Sequence, residues 1–403
     1  MVVDGFDLQA LALVAPRLSA EWGTEPQVLS FAFSSTLVGL GLGAGIFGPF
    51  GDRFGRRPVL AGALIAVSLA SIATMFAANL AQLTVLRFIL GLAMGGANVS
   101  ALALTADFAP PRRRFLIMTL VVSNMASGSA LAGAVAPAVV AGFGWQGPFL
   151  LGGVLPILLL PLVWKAPESL PLLAAIGPDR FASVLRKVWP GADPADIVFA
   201  DRAAVKGRWR VLDLFLPALR WRTMLLWSLY GLGSFNLFLI MSWLPVMLIG
   251  VGFAESASAY GVVAAQLGGW IGGAMVALVL DRNRMILGLT SGYLVAAVAL
   301  ASLIVMPLQP ALWFGALFLV GIGIFGNQVV LLNVATAIYP PHLRATSSGA
   351  TTAFARIVSV FAPFVGAIAL SQAIQPRLTL AAIAIPMLLQ IVLLLLGRRW
   401  IAD

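Results

Sequence analysis

Two carboxylates in an apolar segment are the residues of this chain best suited to chemistry. Asp4 and Asp7 lie three residues apart in a segment that continues apolar to Leu18. Residues three apart share one face of a helix, so the carboxylates would repel each other and could share or exchange a proton. A charged side chain inside a bilayer costs about 2.5–3.5 kcal/mol on insertion scales, and such residues mark ion or substrate pathways. The pair therefore indicates the chemistry of a proton-coupled carrier.

The elements that would position these carboxylates are apolar helices. Of 403 residues, 61% are hydrophobic and 10% are charged, which excludes a soluble globular protein. A spanning helix needs about 20 mostly apolar residues. The sequence predicts an all-α membrane protein with twelve transmembrane helices, near 1–18, 27–50, 59–78, 82–106, 115–141, 147–164, 224–249, 259–280, 286–306, 311–338, 347–372 and 378–397.

The net charge of +10 follows membrane topology and does not indicate nucleic acid as a partner. If both termini are cytoplasmic, most of the 25 Lys and Arg residues lie on the cytoplasmic side, which is the positive-inside bias of polytopic proteins. We expect a multi-pass protein of the inner (plasma) membrane with both termini in the cytoplasm. The chain has no Cys, so disulfides and thiol chemistry are excluded.

An internal repeat divides the chain into two pseudo-symmetric halves. An offset of 229 residues places Pro16 on Pro245 and Asp52 on Asp281. Six spans per half make the repeat parallel, and carriers built in this way rock one half against the other around a site near the midplane. A basic amphipathic helix over 180–189 is expected on the inner membrane face. The predicted domains are a six-helix half at 1–165, a cytoplasmic linker at 166–222 and a six-helix half at 223–403.

Several motifs carry a family resemblance along nearly the whole chain. The loop Gly48-Pro-Phe-Gly51-Asp52-Arg53-Phe-Gly55-Arg56-Arg57-Pro58 resembles the signature loop of the major facilitator superfamily. Asp4-Gly-Phe-Asp7 resembles the mark of its aromatic acid:H⁺ symporter family. Further similar motifs are Arg87-Phe-Ile-Leu-Gly91, Pro167-Glu168-Ser169, Ser242-Trp243-Leu244-Pro245 and Tyr339-Pro340. The resemblance implies the major facilitator fold in a monomer, driven by the proton gradient without a cofactor or metal.

Two departures from the family pattern stand out. The second-half loop, 281–284, lacks the Gly-Arg-Arg pattern, so any gate there should be weaker. The family's first span also extends well upstream of Asp4, whereas this chain begins three residues before it. A helix from Met1 to Leu18 would be about 27 Å long, and would leave both aspartates wet, within about 9 Å of its inner end. We therefore expect that Met1 is not the native start and that the first helix is truncated.

The resemblance implies a gate of charged residues at the cytoplasmic helix ends. Such pairs hold the cytoplasmic side shut in the outward-facing state of the superfamily. Asp52 can face the positive end of a neighbouring helix, and Asp107 is the nearest acidic candidate for the loop arginines. The alternative is a solvated loop whose arginines only fix orientation. The predicted gating residues are Asp52, Arg53, Arg56, Arg57, Asp107, Asp281, Arg282 and Arg344.

Arg87 is the expected partner of the first-span carboxylates in proton coupling. It lies in the outer part of span four, and Gly91 and Gly95 after it allow close helix approach. Proton-coupled sugar porters of the superfamily pair an Arg here with a span-one Asp, and Asp7 occupies the matching place. The repeat mate of Asp7 is Asn236, so coupling should reside in the first half. The alternative is a static ion pair that holds spans one and four together.

Arg356 is the predicted ligand of a substrate carboxylate. It lies mid-span in helix eleven, and a guanidinium binds a carboxylate through two parallel hydrogen bonds. The alternative is a structural Arg, whose N–H groups donate hydrogen bonds to backbone carbonyls of the tenth span or to residues of the inner gate. The amides that could meet ring hydroxyls are Asn98, Asn124, Asn236, Gln266, Gln328 and Asn333.

The combined prediction is a secondary transporter that imports a hydroxybenzoate- or benzoate-like carboxylate with a proton by alternating access. A proton symporter of another organic acid or a sugar, and an exporter of the same superfamily, stay open. An enzyme is disfavoured because the chain has no Cys and one His and lacks a paired acid–base cluster. A sensor would need a soluble output domain, for which the linker is too short.

Overall fold

The computed structural model describes residues 1–110, 113–188, 211–217, 219–279, 285–331, 339, 343–372 and 374–398. These residues are almost entirely helical, and no β-strand occurs among them. The all-α architecture predicted from the composition is therefore confirmed.

Six long helices make up the first half, and short turns join them. Gly23 ends the first helix at φ 61°, and Gly55 connects the second and third at φ 106°. Positive φ favours glycine because a Cβ would be strained there. The Asn79 side chain caps the fourth helix by accepting a hydrogen bond from the Gln82 N–H. The helices are α1 Val2–Trp22, α2 Ser30–Phe54, α3 Arg56–Thr74, α4 Leu80–Phe108, α5 Arg114–Phe143 and α6 Gly147–Lys165, with 3₁₀ turns at Pro26–Leu29 and Gly144–Gln146.

Two short helices follow the first half. Phe181 and Leu185 of the second one are buried against Leu173 of the first, and Phe108 at the end of α4 packs beside them. The apolar side of the second short helix is therefore covered by protein, whereas the sequence predicts that this side lies against the membrane. The first short helix covers it because its own Leu173 is apolar and packs there. The two helices are α7 Leu170–Ile176 and α8 Pro178–Val188.

The second half has the same number of spans, and three of them are interrupted. One contains a π turn, Ile322–Gly326, after which the helix continues to Leu331. The other two bend just before Pro363 and Pro386, where the missing proline N–H interrupts the helical hydrogen bonds. The helices are α9 Arg220–Val251, α10 Glu255–Val279, α11 Met285–Ser302, α12 Pro310–Gly321, α13 Arg344–Val360 continued by α14 Ala362–Ser371, and α15 Pro376–Ala382 continued by α16 Ala384–Leu396, after a 3₁₀ turn at Leu212–Phe215.

The lengths of these helices agree with membrane crossing. Among the described residues, eight stretches are long and apolar enough to span a bilayer, and one of them, Leu120–Lys165, contains both α5 and α6. α11 is a shorter apolar helix, and α1 and α10 pack alongside the others. The chain is therefore a multi-pass membrane protein, with twelve spans in two sets of six.

Glycines let the helices around the charged residues pack closely. A Cβ at Gly91 of α4 would collide with the Thr36 carbonyl of α2, and a Cβ at Gly5 of α1 would collide with the Met125 carbonyl of α5. Small residues permit such close contact between membrane helices. The backbone beside Arg87 and beside both aspartates is therefore fixed by its neighbours.

Candidate functional site

A cavity of about 130 Å³ lies between the two halves. It is bounded by α5 of the first half and by α9, α10, α12 and α13 of the second. An engineered cavity of about 150 Å³ binds benzene, so the space suits a single aromatic ring. The aromatic, amide and charged side chains in its lining include Tyr230, Phe238, Phe325, Gln266, Gln328 and Arg356.

Arg356 is the charged side chain that lines this cavity. Its guanidinium carbon lies 5.4 Å from the centre of the Phe238 ring, so the ring supports one face of the cation. Within the described ranges, the structure shows no hydrogen bond from the guanidinium to a protein acceptor. Residues 332–338 of the predicted tenth span, whose carbonyls the alternative interpretation invokes, lie outside those ranges, so both interpretations of Arg356 stay open. N–H groups without a protein acceptor can bind an anionic ligand.

The predicted amides occupy different surroundings. Gln266 and Gln328 line the central cavity. Asn98 lines an adjoining space of about 770 Å³ between α2, α4 and α13. Asn236 is 1% exposed and lies outside both linings, and Asn124 donates to the Leu120 carbonyl. Gln266 and Gln328 thus share the central cavity with Arg356, and Asn98 shares the adjoining space with it.

Asp7 lies deep among the helices of the first half. Its side chain is fully buried, and its Oδ1 accepts a hydrogen bond from Ser71 Oγ at 2.8 Å. A Cβ at Gly152 would collide with this oxygen, so α6 leaves room for the carboxylate. Asp4 is also buried, at 3% exposure. Both aspartates are buried in protein, contrary to the expectation for a helix that begins at Met1, because α1 packs against α5, α6 and α9.

Arg87 lies beside Asp7, as the sequence predicts, but the two make no closed ion pair. The guanidinium is 1% exposed and its carbon lies 4.4 Å from the centre of the Phe149 ring. Its Nη1 donates to the Asp7 backbone carbonyl at 3.5 Å. Arg87 Nε and Nη2 and Asp7 Oδ2 have no hydrogen-bond partner among the described residues. No pattern in the sequence indicated the contacts of Ser71 and Phe149, because both join helices that are distant along the chain.

A small space beside Asp7 shares two of its lining side chains with the cavity of Arg356. It measures about 20 Å³ and is lined by Asp7 and Arg87 on one side and by Phe238 and Met241 on the other. One water molecule needs about 10–15 Å³. Phe238 and Met241 also line the central cavity. These two side chains therefore separate the buried carboxylate from the cavity of Arg356.

The predicted gate lies at one membrane face, which we call the Asp52 face. Arg56 pairs with Asp52 one turn before it. Glu168 Oε1 accepts hydrogen bonds from the backbone N–H groups of Arg56 at 2.8 Å and Arg57 at 3.2 Å. Glu168 thus faces the positive end of α3. The signal for this contact is the Pro167-Glu168-Ser169 motif, which indicated a resemblance but no role.

The remaining gate residues fall partly outside the described ranges. Arg53 is exposed and Asp107 is half-buried at the end of α4. Arg344 begins α13, but its side chain lies outside the description. The predictions for Asp281, Arg282 and Asn333 lie outside the described residues. Among the residues that are described, no group of three or more His, Asp or Glu could hold a metal ion.

The two halves contact each other at the opposite membrane face, which we call the Trp22 face. Arg17 Nε of α1 pairs with Glu255 Oε2 of α10 at 2.7 Å. Ser34 Oγ of α2 donates to the Val360 carbonyl of α13 at 2.8 Å. These contacts join the two halves at the Trp22 face. The sequence did not single out Arg17, because its partner lies in the other half of the chain.

Known proteins of similar sequence are carriers. The sequence profile of the Major Facilitator Superfamily matches residues 1–363. The chain is 30% identical to the gallate transporter of Pseudomonas putida, over 96% of this chain and 87% of that protein. It is 30% identical to the 4-hydroxybenzoate transporter PcaK of the same species, over 95% of this chain and 87% of that protein. It is 28% identical to the 3-(3-hydroxy-phenyl)propionate transporter of Escherichia coli, over 95% of this chain and 90% of that protein.

The fold is similar to solved structures of the same kind. The xylose transporter XylE from E. coli, in an inward open conformation, superposes with a TM-score of 0.74 at 16% identity, over 97% of this chain and 92% of that one. The fold class predicted from the sequence is confirmed, and so is the prediction that the chain is not an enzyme. The chain belongs to the Major Facilitator Superfamily and is a membrane transporter.

Proposed function

We propose that this transporter imports a hydroxybenzoate- or benzoate-like carboxylate together with a proton, across the inner membrane, by alternating access. The observation that carries the proposal is a cavity for one ring in which the Arg356 guanidinium has no protein acceptor within the described ranges. The names of the relatives, which include transporters of gallate and 4-hydroxybenzoate, support the same class of substrate.

Arg356 is the group that binds the substrate carboxylate in this proposal. The Phe238 ring holds the guanidinium from one side, which leaves its edge for a bidentate contact. The aromatic side chains Tyr230 and Phe325 line the same cavity and can pack against the ring of the substrate. Gln266 and Gln328 supply polar contacts for ring substituents. Asn98 shares the adjoining space with Arg356 and can contact a substrate that extends into it. Asn236 and Asn333 stay predicted contacts of the substrate.

Asp7 binds and releases the transported proton in this proposal. The neighbouring charges of Arg87 and Asp4 influence how readily the Asp7 carboxylate is protonated. The Asp7 carboxylate faces one donor, Ser71, and has one oxygen without a partner. Protonation removes the negative charge beside Arg87, and deprotonation restores it. Since Phe238 and Met241 line both the small space at Asp7 and the central cavity, a bound ring acts on the same side chains that enclose the proton site.

The Asp52 face lies in the cytoplasm in this proposal, together with both termini. The contacts of Arg17 with Glu255 and of Ser34 with Val360 then close the outer side, so the conformation is inward-facing. Movement to the outward-facing state would break these contacts and bring the charged residues of the Asp52 face into contact with the second half. The carrier acts as a monomer and needs no cofactor beyond the proton gradient.

Substrate competition tests this proposal. Uptake of radiolabelled 4-hydroxybenzoate into proteoliposomes should be reduced by excess unlabelled benzoate and gallate, but not by shikimate or glucose. Inhibition by shikimate or glucose, without inhibition by benzoate or gallate, would assign the carrier to another organic acid or a sugar. Efflux from preloaded vesicles without uptake under the same gradient would assign it to export.

A further inference from the structure

We propose that Gln266 selects for a hydroxyl group on the substrate ring, at the edge away from the carboxylate. The proposal rests on the proposed function, because it takes the ligand of Arg356 to be a one-ring carboxylate. It extends that function by naming the substituent that the site prefers and the side chain that meets it. The preferred class is a hydroxylated benzoate over benzoate itself.

Most other polar groups in the wall of the cavity are already engaged within the protein. Gln328 Nε2 donates to the Tyr230 backbone carbonyl at 3.2 Å as well as to Ser234. A ligand could accept a hydrogen bond from the donors of Ser129, Gln328 or Thr352 only by replacing an internal contact. The hydrogen bonds run from Ser129 Oγ to the Gly5 carbonyl at 2.9 Å, from Gln328 Nε2 to Ser234 Oγ at 2.6 Å and from Thr352 Oγ1 to the Ser348 carbonyl at 2.9 Å.

Gln266 and Gln328 both line the cavity, and the Oε1 of each has no hydrogen-bond partner among the described residues. Gln328 is held by its Nε2, which donates to Ser234 Oγ and to the Tyr230 carbonyl. Gln266, which is 2% exposed, differs because no hydrogen bond to a described residue holds its side chain. Buried polar atoms are nearly always hydrogen-bonded, because an unpaired one loses its interactions with water without replacement. A group of the ligand that meets this amide therefore supplies an interaction that the protein itself lacks.

Gln266 and Arg356 approach the cavity from different sides. α10, which carries Gln266, packs against α5, α9 and α12, whereas α13, which carries Arg356, packs against α9 and α2. Both helices therefore contact α9, which carries the cavity residues Tyr230 and Phe238. A ring whose carboxylate binds Arg356 directs its far edge away from α13, toward the side of the cavity formed by α10. Substituents in the meta and para positions lie on that edge.

A phenolic hydroxyl is suited to this amide. It both donates and accepts a hydrogen bond, so it can meet either the oxygen or the nitrogen of Gln266. A site with an unpaired polar group discriminates against the analogue that lacks the matching group. One hydrogen bond of this kind corresponds to a preference of about tenfold, or 1.4 kcal/mol.

The test compares equilibrium binding of benzoate, 3-hydroxybenzoate and 4-hydroxybenzoate to the purified full-length protein. The wild type should bind at least one hydroxybenzoate about tenfold more tightly than benzoate. Gln266→Leu and the closer isostere Gln266→Met should lower that ratio to about one by weakening the hydroxybenzoate alone. Gln390→Leu is the matched control, because its amide donates to the Leu229 carbonyl and the Tyr293 hydroxyl outside the cavity, and it should keep the wild-type ratio.

The binding results distinguish failure of the role of Gln266 from failure of the proposed function. If the wild type binds aromatic acids without preferring a hydroxyl, or if both Gln266 variants keep the preference, the role of Gln266 is overturned and the proposed function stands. If the wild type binds none of the three acids, the proposed function fails, and the role of Gln266 fails with it.

Discussion

Arg87 reaches Asp7 through the backbone: its Nη1 donates to the Asp7 carbonyl oxygen at 3.5 Å, while the Asp7 carboxylate accepts from Ser71 at 2.8 Å. A closed ion pair would have to break before the carboxylate could take a proton. Here the guanidinium is held in place by the Phe149 ring, so the charge on Asp7 can change while Arg87 stays. We infer that proton exchange at Asp7 alters the field at Arg87 without first dismantling a salt bridge.

Substitution of Arg356 by Lys tests recognition of the carboxylate. Arg356→Lys keeps the positive charge but loses the bidentate geometry, so affinity for 4-hydroxybenzoate should fall at least about tenfold, or 1.4 kcal/mol. Equilibrium binding to the purified protein measures this. Arg377→Lys is a suitable control, because Arg377 contacts the carbonyls of Ile304 and Met306 far from the cavity. Equal affinities of the wild type and Arg356→Lys would leave Arg356 with a structural role only.

Truncation of Phe238 tests how the two sites communicate. Phe238 lines both the cavity of Arg356 and the small space at Asp7, so Phe238→Ala should open one into the other. We expect proton-driven accumulation to fall at least about tenfold more than substrate counterflow. Phe325→Ala, which changes the central cavity only, should lower both activities in parallel. Parallel losses in the two variants would argue against a separating role for Phe238.

Part of this arrangement could be predicted from the sequence and part could not. The proximity of Asp7 and Arg87, and the position of Arg356 facing a cavity, follow from buried charge on apolar helices. The engagement of Asp7 with Ser71 does not, because a serine in an apolar helix carries no sign of its partner. The sequence offers six candidate amides, of which the internal repeat slightly favours Asn98 and Gln328. Only the packing of α10 against the cavity distinguishes Gln266 from Asn236.

The contact of Glu168 with α3 is another case that spacing alone could not reveal, because more than a hundred residues separate the two along the chain. Its carboxylate accepts hydrogen bonds from the N–H groups of Arg56 and Arg57. Its role is nonetheless simple, since a carboxylate at a helix N-terminus satisfies N–H groups that have no partner within the helix.

Removal of this contact should lower stability. Glu168→Ala should destabilise the folded protein by about 0.5–2 kcal/mol, the usual cost of losing a helix cap. The apparent melting temperature, followed by fluorescence of the 11 tryptophans, provides the measurement. Glu21→Ala removes an exposed carboxylate near the end of α1 and serves as the control. An unchanged melting temperature in Glu168→Ala would show that the contact contributes nothing to stability.

The pair of Arg17 and Glu255 should favour closure of the Trp22 face. Both side chains are more than two-fifths exposed, at 45% and 41%, and exposed pairs contribute about 0.2–1 kcal/mol. Because the chain has no Cys, a single Leu13→Cys beside this pair can report access by maleimide labelling. Glu255→Gln should raise the labelling rate by up to about fivefold.

The reversed pair distinguishes electrostatics from packing at this position. Arg17→Glu combined with Glu255→Arg restores the attraction, so it should return the labelling rate toward that of the parent Leu13→Cys protein. A rate that is the same in the parent, the Glu255→Gln variant and the reversed pair would mean that the ion pair does not hold this face closed.

The most direct test of the account is accumulation of 4-hydroxybenzoate in proteoliposomes whose interior is more alkaline than the medium. The wild type should accumulate the acid against its own gradient, and a protonophore should abolish this. Asp7→Asn should only equilibrate the acid while still catalysing counterflow, and Glu21→Gln on the same helix should accumulate it like the wild type. Full protonophore-sensitive accumulation by Asp7→Asn, or none by the wild type, would contradict proton coupling through Asp7.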